Sequence, residues 1–339
     1  EMLATLESVH GLVRPVKETE FPDRTLTLRY AFVHVLYQNV LFESLQPTRR
    51  AKWCAAVANS LLRHHGEESS TIAEELALLF AGARDFPRAS EFCLHAAQNA
   101  VRVFAHREAV QWAQTGLQHL DALPDGPERA RQELKTLIVL GPPLKETVGW
   151  TAPEVHDVYQ RAENLCRTLG SSAEFYPALW GLWLFRSGSS ELSGVRTHVQ
   201  ELVRIADEAQ DRDMVLQASH ALWTTDAIAG DWEACRKTAE EGLALYDEAR
   251  HSEHKFLYGA HDPGACCLGF LGQSLWMLGQ PDRALERGRE CLELAQRTAH
   301  PPSVALAYYS LTIIHHLRRD VSGSIENGEA CQRLVEAHG

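Results

Sequence analysis

At 339 residues, with 45% apolar and 23% charged residues, the chain has room for about two or three domains or for one elongated array, so periodicity has to decide between them. A formal net charge of −12 opposes binding to phosphate backbones, which needs clustered Lys and Arg, and no apolar run reaches the roughly 18 residues that span a bilayer. Neither nucleic acid nor membrane is therefore an expected partner. Glu1, Met2 and Leu3 open no basic, apolar or small-residue leader, which predicts a fragment of a longer protein, and the cysteine usage predicts a cytoplasmic one. The eight cysteines include no C-x-x-C pair, and several fall on apolar helical stripes, so reduced, buried thiols are expected.

Residues 1–45 differ in kind from the rest of the chain. A short helical stretch is expected around Leu3 to Leu12, and then "VRPVKETEFPDRTLTLRYAFVH" alternates: Leu26, Leu28, Tyr30 and Phe32 share one face, with Thr25, Thr27 and Arg29 on the other. Pro22 and Asp23 supply the turn, and a helix resumes through "VLYQNVLFESL". Helix, β-hairpin, helix is the outline of the C-terminal part of a winged-helix domain. Such a module contacts either DNA or protein, and the acidic balance favours protein. Residues 46–125 read as irregular helical opening units, in which Ala89, Cys93 and Ala96, and again Ala109, Ala113 and Gly116, fall at helical offsets on one face. Breaks are expected at "LPDGPE" (123–128) and at "LGPPLKETVGWTAPE" (140–154), whose prolines and glycines argue against a continuous helix.

Residues 126–339 carry an internal repeat. Segments beginning at Val155, Val195, Cys235, Ala284 and Ser324 match in size and polarity, with spacings of 40, 40, 49 and 40. Four residues on stand Tyr159, Val199, Ala239, Gly288 and Gly328; seven on, Ala162, Leu202, Gly242, Cys291 and Cys331; eleven on, Cys166, Ala206, Tyr246, Ala295 and Val335. These offsets describe one face of an α-helix. A partner helix precedes each of the last four anchors, with Leu182, Leu222, Leu271 and Leu311 each one turn after Ala178, Ala218, Cys267 or Ala307. Gly230 and Gly279 suit the C-cap between the two helices, and Asp231 or Pro281 suits the next start. The expected fold is therefore mainly all-α: a right-handed α-α solenoid of tetratricopeptide-like helical hairpins with a period of about 40 residues, preceded by a partial winged helix with a short β-hairpin. The longer spacing places an insertion at 249–264, which is expected to protrude at one edge of the array.

Two groups of residues invite a functional reading. In the insertion, His251, His254, His261 and Asp262 fall within a dozen residues, a density compatible with a metal-dependent enzyme. Asp262 before Pro263 is equally the N-cap and first-turn proline of the next helix, with Tyr258-Gly259 ending the loop; that reading assigns no metal ligand, cofactor or catalytic residue. Trp180, Trp183, Trp223 and Trp276 lie in the first helices of successive hairpins, which line the concave surface of such arrays, and with His220, His261, Asp262 and His315 they are the candidate recognition groove. The competing role for the indoles is packing between repeats. No H-E-x-x-H or G-x-S-x-G pattern occurs, and the histidine pairs 64–65 and 315–316 point in different directions on a helix.

The segments "RYAFVHVLYQNVLFESLQPTRR" (29–50), "ELALLFAGARDFPRASEFCLHAAQNA" (75–100), "LYDEARHSEHKFLYGAHDPGACC" (245–267) and "SLWMLGQPDRALERGRECLELAQ" (274–296) resemble, in this order, the C-terminal half of bacterial STAND-class signalling ATPases. These often carry an N-terminal class III adenylate/guanylate cyclase or protein-kinase domain. The resemblance implies a winged helix joining an upstream nucleotide-binding domain of the same polypeptide to a superhelical sensor array similar to that of the maltose-regulon activator. It implies a non-catalytic module whose groove receives a protein segment or small effector; a self-association scaffold is the alternative. No G-x-x-x-x-G-K-[ST] is present, and Lys145 in "GPPLKET" (141–147) lacks a glycine-rich phosphate cradle. ATPase or cyclase activity is therefore expected outside these residues.

Overall fold

The fold was analysed in a computed structural model, which describes residues 5–7, 10–149, 152–170, 175–188, 192–251, 253–258 and 261–338. Part of the helix expected around Leu3 to Leu12 lies outside the described residues, as does Gly259. The chain divides into two compact units, residues 1–136 and 137–339.

In the first unit, β1 (Val13–Glu20) and β2 (Leu26–Phe32) pair antiparallel from Val13↔Phe32 to Glu20↔Leu26. The register slips between Pro15 and Lys17, beside the proline that has no N–H to give the ladder. Asp23 accepts from the Thr25 N–H at 2.9 Å to close the turn. Helices α1 (Val35–Ser44), α2 (Pro47–His65), α3 (Ala73–Gly82), α4 (Phe86–Arg102) and α5 (His106–Asp121) follow, with a 3-10 stretch at Gly66–Ile72. From α2 onward successive helices pack on their sequence neighbours, while α1 contacts β2. The core gathers Ala58 of α2, Leu76 and Phe80 of α3, and Ala89, Phe92, Cys93 and Ala96 of α4. Helix α1 has no buried residue, and Val35, Leu36, Val40, Leu41 and Phe42 are exposed.

Helix α6 (Pro127–Val148) contributes residues 137–148 to the second unit, which continues with α7 (Pro153–Leu169), α8 (Tyr176–Ser187), α9 (Leu192–Ala209), α10 (Arg212–Ile228), α11 (Trp232–Leu245), the short α12 (Glu248–His251) and α13 (His254–Leu257), then α14 (Pro263–Met277), α15 (Pro281–Arg297), α16 (Pro301–Leu317) and α17 (Val321–His338). The hairpins are α8–α9, α10–α11, α14–α15 and α16–α17, and each first helix also packs on the next first helix, α8 on α10, α10 on α14, α14 on α16. This is the stacking of an all-α solenoid. The turns are built as their residues require: Gly230 and Gly279 adopt φ of 77° and 80°, Asp231 caps α11 by accepting from Ala234 N–H, and Pro281 opens α15.

The repeat register is visible in burial. Val155, Val195, Cys235 and Ala284 are buried, as are the residues four and seven positions on in each of those helices. In α17 the same stripe is half covered, with Ser324, Gly328 and Cys331 half-buried and Val335 exposed. Of the partner-helix leucines, Leu182, Leu271 and Leu311 are buried, whereas Leu222 is half-buried because the neighbouring Trp223 takes the core position. Room for that indole comes from Gly242 on α11, where a Cβ would overlap the Trp223 ring. All eight cysteines are free thiols; all but Cys331 are buried.

Two expectations are corrected. The break expected at 140–154 falls only after Val148: α6 runs through Pro142 and Pro143, Gly149 N–H closes it on the Lys145 carbonyl at 2.9 Å, and the next helix starts at Pro153. Each interior proline costs about 3 kcal/mol in an isolated helix, but burial of Leu137, Leu140 and Leu144 on one face offsets this in the packed unit. Lys145, inside this helix, is buried and lies 3.0 Å from a Glu146 carboxylate oxygen. The insertion does not protrude either. His251, His254, Tyr258 and Asp262 are buried, because their rings and polar atoms find partners on α8, α10 and α14.

Two substitutions check this register. Leu271→Ala removes a buried side chain from the core shared by α10, α11 and α14, and is expected to lower stability by roughly 2–5 kcal/mol. Gly242→Ala forces a methyl group against Trp223 and is expected to lower it by roughly 1–3 kcal/mol. Thermal and urea unfolding read both; a midpoint unchanged by Leu271→Ala overturns the register.

Candidate functional site: a histidine seam

The insertion meets the array along one polar seam. On α10, Gln217 and His220 stand one helical turn apart and both are buried. Asp211 caps this helix by accepting from Asp213 and Met214 N–H, which fixes the turn that carries them. From the insertion come His251 at the end of α12, His254 at the start of α13, then Tyr258 and His261. Asp262 is the N-cap of α14: its side chain accepts from Ala265 N–H at 2.9 Å and from the Tyr246 hydroxyl at 3.0 Å. Its own N–H donates to Ser303 Oγ at 2.8 Å.

The polar groups form a chain. His251 Nε2 lies 3.1 Å from Asp213 Oδ1, which also accepts from Arg250. His254 Nδ1 accepts from the Gln217 amide at 2.9 Å, leaving the Gln217 Oε1 to accept from His220 Nδ1 at 3.2 Å. That pairing puts the His220 proton on Nδ1 and its lone pair on Nε2. His220 Nε2 then faces two groups, Cys266 Sγ at 3.1 Å and His261 Nε2 at 3.3 Å. Aromatic rings enclose the seam: Trp223 stacks on His220 at 4.9 Å, and Trp180 lies 5.1 Å from His220 and 5.5 Å from Tyr258. Trp180 Nε1 donates to the Gln217 carbonyl at 3.1 Å and Trp183 Nε1 to Thr225 Oγ1 at 3.0 Å.

Burial sets the electrostatics. It pushes His220 well below the ordinary histidine range, helped by His261 and His254, and lowers His254, helped by His251. His300, which caps α16 beside Lys255, is pushed down to about 3, again mainly by burial. Burial raises the Asp262 carboxyl in spite of the N–H groups and the Tyr246 hydroxyl that favour its charged form, and raises the Cys266 thiol. At the centre of the seam burial thus favours neutral imidazoles at His220 and His254 and a thiol at Cys266. A cysteine 3.1 Å from a histidine has the spacing of a nucleophile and its base, but Cys266 and His220 are each only 2% exposed and the sulfur is held as a thiol, which is not the accessible thiolate that acyl transfer needs.

Of the residues expected in a recognition groove, Trp180, Trp183, His220, Trp223 and Asp262 are buried and His261 is half-buried. Trp276 is half-buried against the core that contains Leu216, Trp223 and Leu271, and His315 Nδ1 bonds Asp320 Oδ2 at 2.8 Å. The four residues expected to offer a metal site are divided: His251 goes to Asp213, His254 to Gln217, Asp262 to the α14 cap, and His261 joins His220 and Cys266 in a cluster of three ligating side chains. Gln217 and Cys266 were not legible from local spacing. Their signal is the repeat itself, since the partners lie 37 residues apart for Gln217 and His254 and 46 for His220 and Cys266, about one unit with or without the insertion.

A separate cavity of about 270 Å³ opens between α7, α8 and α9, lined by His156, Tyr159, Gln160, Glu163, Phe185 and Arg186. The Glu163 carboxylate is buried and paired with both Arg167 and Arg186, the latter at 2.8 Å. Among the described residues, no helix is long and apolar enough to cross a membrane.

No protein-family profile matches the chain. An uncharacterised protein of Rhizobium meliloti (strain 1021) is 26% identical over 303 residues, 84% of this chain; the chain spans only 27% of that protein's length. Two solved structures share the fold at a TM-score of 0.51 and 12% identity. One is a Rap protein complexed with competence and sporulation factor, covering 74% of this chain and 66% of its own. The other is the Rap conjugation gene regulator of the plasmid pLS20 in complex with the Phr* peptide, covering 89% of this chain and 82% of its own. These likenesses define an all-α helical-repeat protein.

The neutral histidines give stability a direction with pH. In the unfolded chain they take up protons near 6.5, whereas the folded seam refuses them, so stability is complete above about pH 6.5 and is lost as pH falls from there towards about 3, where His300 finally titrates. Asp262 has the opposite sign, because its raised carboxyl protonates in the folded state first and returns part of the loss in acid. Thermal midpoints measured at about pH 7.5 and about pH 5 are expected to fall with acid, and His300→Asn, which keeps a capping side chain, is expected to reduce the fall. A midpoint independent of pH over this range overturns the neutral seam.

Proposed function

We propose that the chain is a non-catalytic, effector-sensing repeat module that receives a peptide or protein segment within a larger cytoplasmic signalling protein. The observation that carries this reading is the stack of helical hairpins α8 to α17, an architecture shared with repeat proteins solved with competence and sporulation factor and with the Phr* peptide. The cavity beside Arg186 is the place for a ligand side chain: Tyr159 and Phe185 offer apolar contact, and Arg186 offers a guanidinium held in position by Glu163. Along the first helices, the half-buried Trp276 and His315 extend the recognition surface, while the buried Trp180, Trp183, His220, Trp223 and Asp262 shape it from beneath.

The parent protein is read as a STAND-class signalling ATPase, linked in some members to a cyclase or kinase domain, with the β-hairpin and α1 as the end of a winged helix. The apolar, exposed face of α1 supports contact with an upstream nucleotide-binding domain. The same face is what favours the second reading, a self-association scaffold. Light scattering over a range of concentrations separates the two, since a scaffold gains mass with concentration and a sensor does not.

The sensing function is tested by selecting peptides that bind the purified chain and measuring their affinity by calorimetry. Arg186→Ala is expected to weaken a selected peptide by about tenfold or more, about 1.4 kcal/mol, with the thermal midpoint unchanged, because Glu163 retains Arg167. A chain that yields no peptide binding tighter than about 100 μM, or whose peptides ignore Arg186, overturns this site.

A further inference from the structure

We propose that His220, His261 and Cys266 form a binding site for a borderline divalent cation, Zn²⁺ by the chemistry of its ligands, which ties the inserted segment to the helices of two successive repeats. The three donor atoms, Nε2 of each histidine and Sγ of the cysteine, all lie within 4.8 Å of one another. Zinc bonds of about 2.0–2.1 Å to nitrogen and 2.3 Å to sulfur, at tetrahedral angles, place two nitrogens about 3.3 Å apart and a nitrogen about 3.6 Å from a sulfur. The observed separations are 3.3 Å for His220 to His261 and 3.1 Å for His220 to Cys266, within a few tenths of an ångström of those values, and the His261 nitrogen lies within 4.8 Å of the Cys266 sulfur.

Hydrogen bonding leaves the lone pair of His220 Nε2 contested. Because Gln217 holds the His220 proton on Nδ1, His220 Nε2 has one in-plane lone pair and two neighbours directed at it, the Cys266 S–H and the His261 ring nitrogen. One cation replaces both competing contacts and is bound by all three groups. The Gln217 carbonyl oxygen is the partner a metal-bound histidine needs on its other nitrogen, and His254 in turn fixes that amide. On the sulfur side, the Trp223 indole N–H makes no other hydrogen bond among the described residues and is placed to donate to the Cys266 sulfur, which favours its ionised form. Binding releases the Cys266 proton to solvent and leaves both imidazoles neutral, so the dication and its one thiolate together carry a single positive charge. Two imidazoles and a thiolate suit Zn²⁺ over Mg²⁺ or Ca²⁺, and the fourth position remains for water or a donor atom of an incoming ligand. His261 is half-buried, which gives the ion a way in, while His220 and Cys266 sit beneath it. The site does not depend on the peptide-sensing reading.

The test uses the whole chain, stripped of metal with a chelator and titrated with Co²⁺ without oxygen. The expected result is saturation at one Co²⁺ per chain, with a thiolate-to-cobalt charge-transfer band and the intense d–d absorption of a four-coordinate ion, both abolished by adding Zn²⁺. Cys266→Ser is expected to remove the charge-transfer band. His261→Gln, a change at the half-buried member that leaves the core intact, is expected to weaken binding by more than about tenfold and to abolish the rise in thermal midpoint that Zn²⁺ gives the wild-type chain. A titration without the charge-transfer band, or a band that survives in Cys266→Ser, overturns the site. If Cys266→Ser fails to fold, His261→Gln decides alone, and an unchanged affinity overturns it.

Discussion

A helical hairpin buries only the seam between its own two helices, and everything else in this array depends on the surface that the next hairpin must therefore supply. The outer faces of α8, α10 and α14 would be exposed were each not covered by the following first helix. The same dependence governs the polar groups. The Tyr176 hydroxyl is answered by the Met214 carbonyl 38 residues on, the Trp180 indole by Gln217 37 on, Trp183 by Thr225 42 on, and Ser274 donates to Cys235 39 back. Buried donors left without these partners would cost about 1–3 kcal/mol each, so the polar contacts fix the stacking that apolar burial drives.

This dependence explains what was legible in the sequence. The offsets 0, 4 and 7 from Val155, Val195, Cys235 and Ala284 mark the buried stripe because a helix must present one face to its hairpin partner, and size is constrained there position by position. Hairpin turns were legible for a local reason, since Asp231, Gly230, Gly279 and Pro281 act within a few residues of themselves. Where the reading failed, the deciding partner was distant. Pro142 and Pro143 are tolerated through the burial of Leu137, Leu140 and Leu144, and Leu222 yields to Trp223 because Gly242 leaves a space on another helix. Local propensity was outweighed by packing in both cases.

The insertion is the most instructive instance. Its composition, with three histidines and an aspartate in a dozen residues, suggested a self-contained cluster on a protruding loop. Each of those groups instead takes a partner elsewhere: Asp213 and Gln217 on α10, the N-terminus of α14, and Cys266 one turn inside α14. Neutral imidazole is well suited to such a seam. It buries as an aromatic ring against Trp180, Trp223 and Tyr258, yet has one donor and one acceptor with which to bridge polar atoms across the interface. The insertion is consequently a wedge shared by two repeats.

Within that wedge most polar groups have one clear partner, and this makes the exception informative. Asp262 is satisfied by Ala265 N–H and Tyr246, Gln217 by two rings, and His300 by Ser303, each with its proton assigned by its neighbours. At His220 Nε2 the two claimants for one lone pair come from different elements, a thiol on α14 and a second imidazole on the insertion, whereas both donors to His300 Nδ1 belong to Ser303. The neighbours that create this conflict, a second imidazole and a thiol, are themselves ligands of the same kind as His220, which favours a group that the three atoms hold together over imperfect packing.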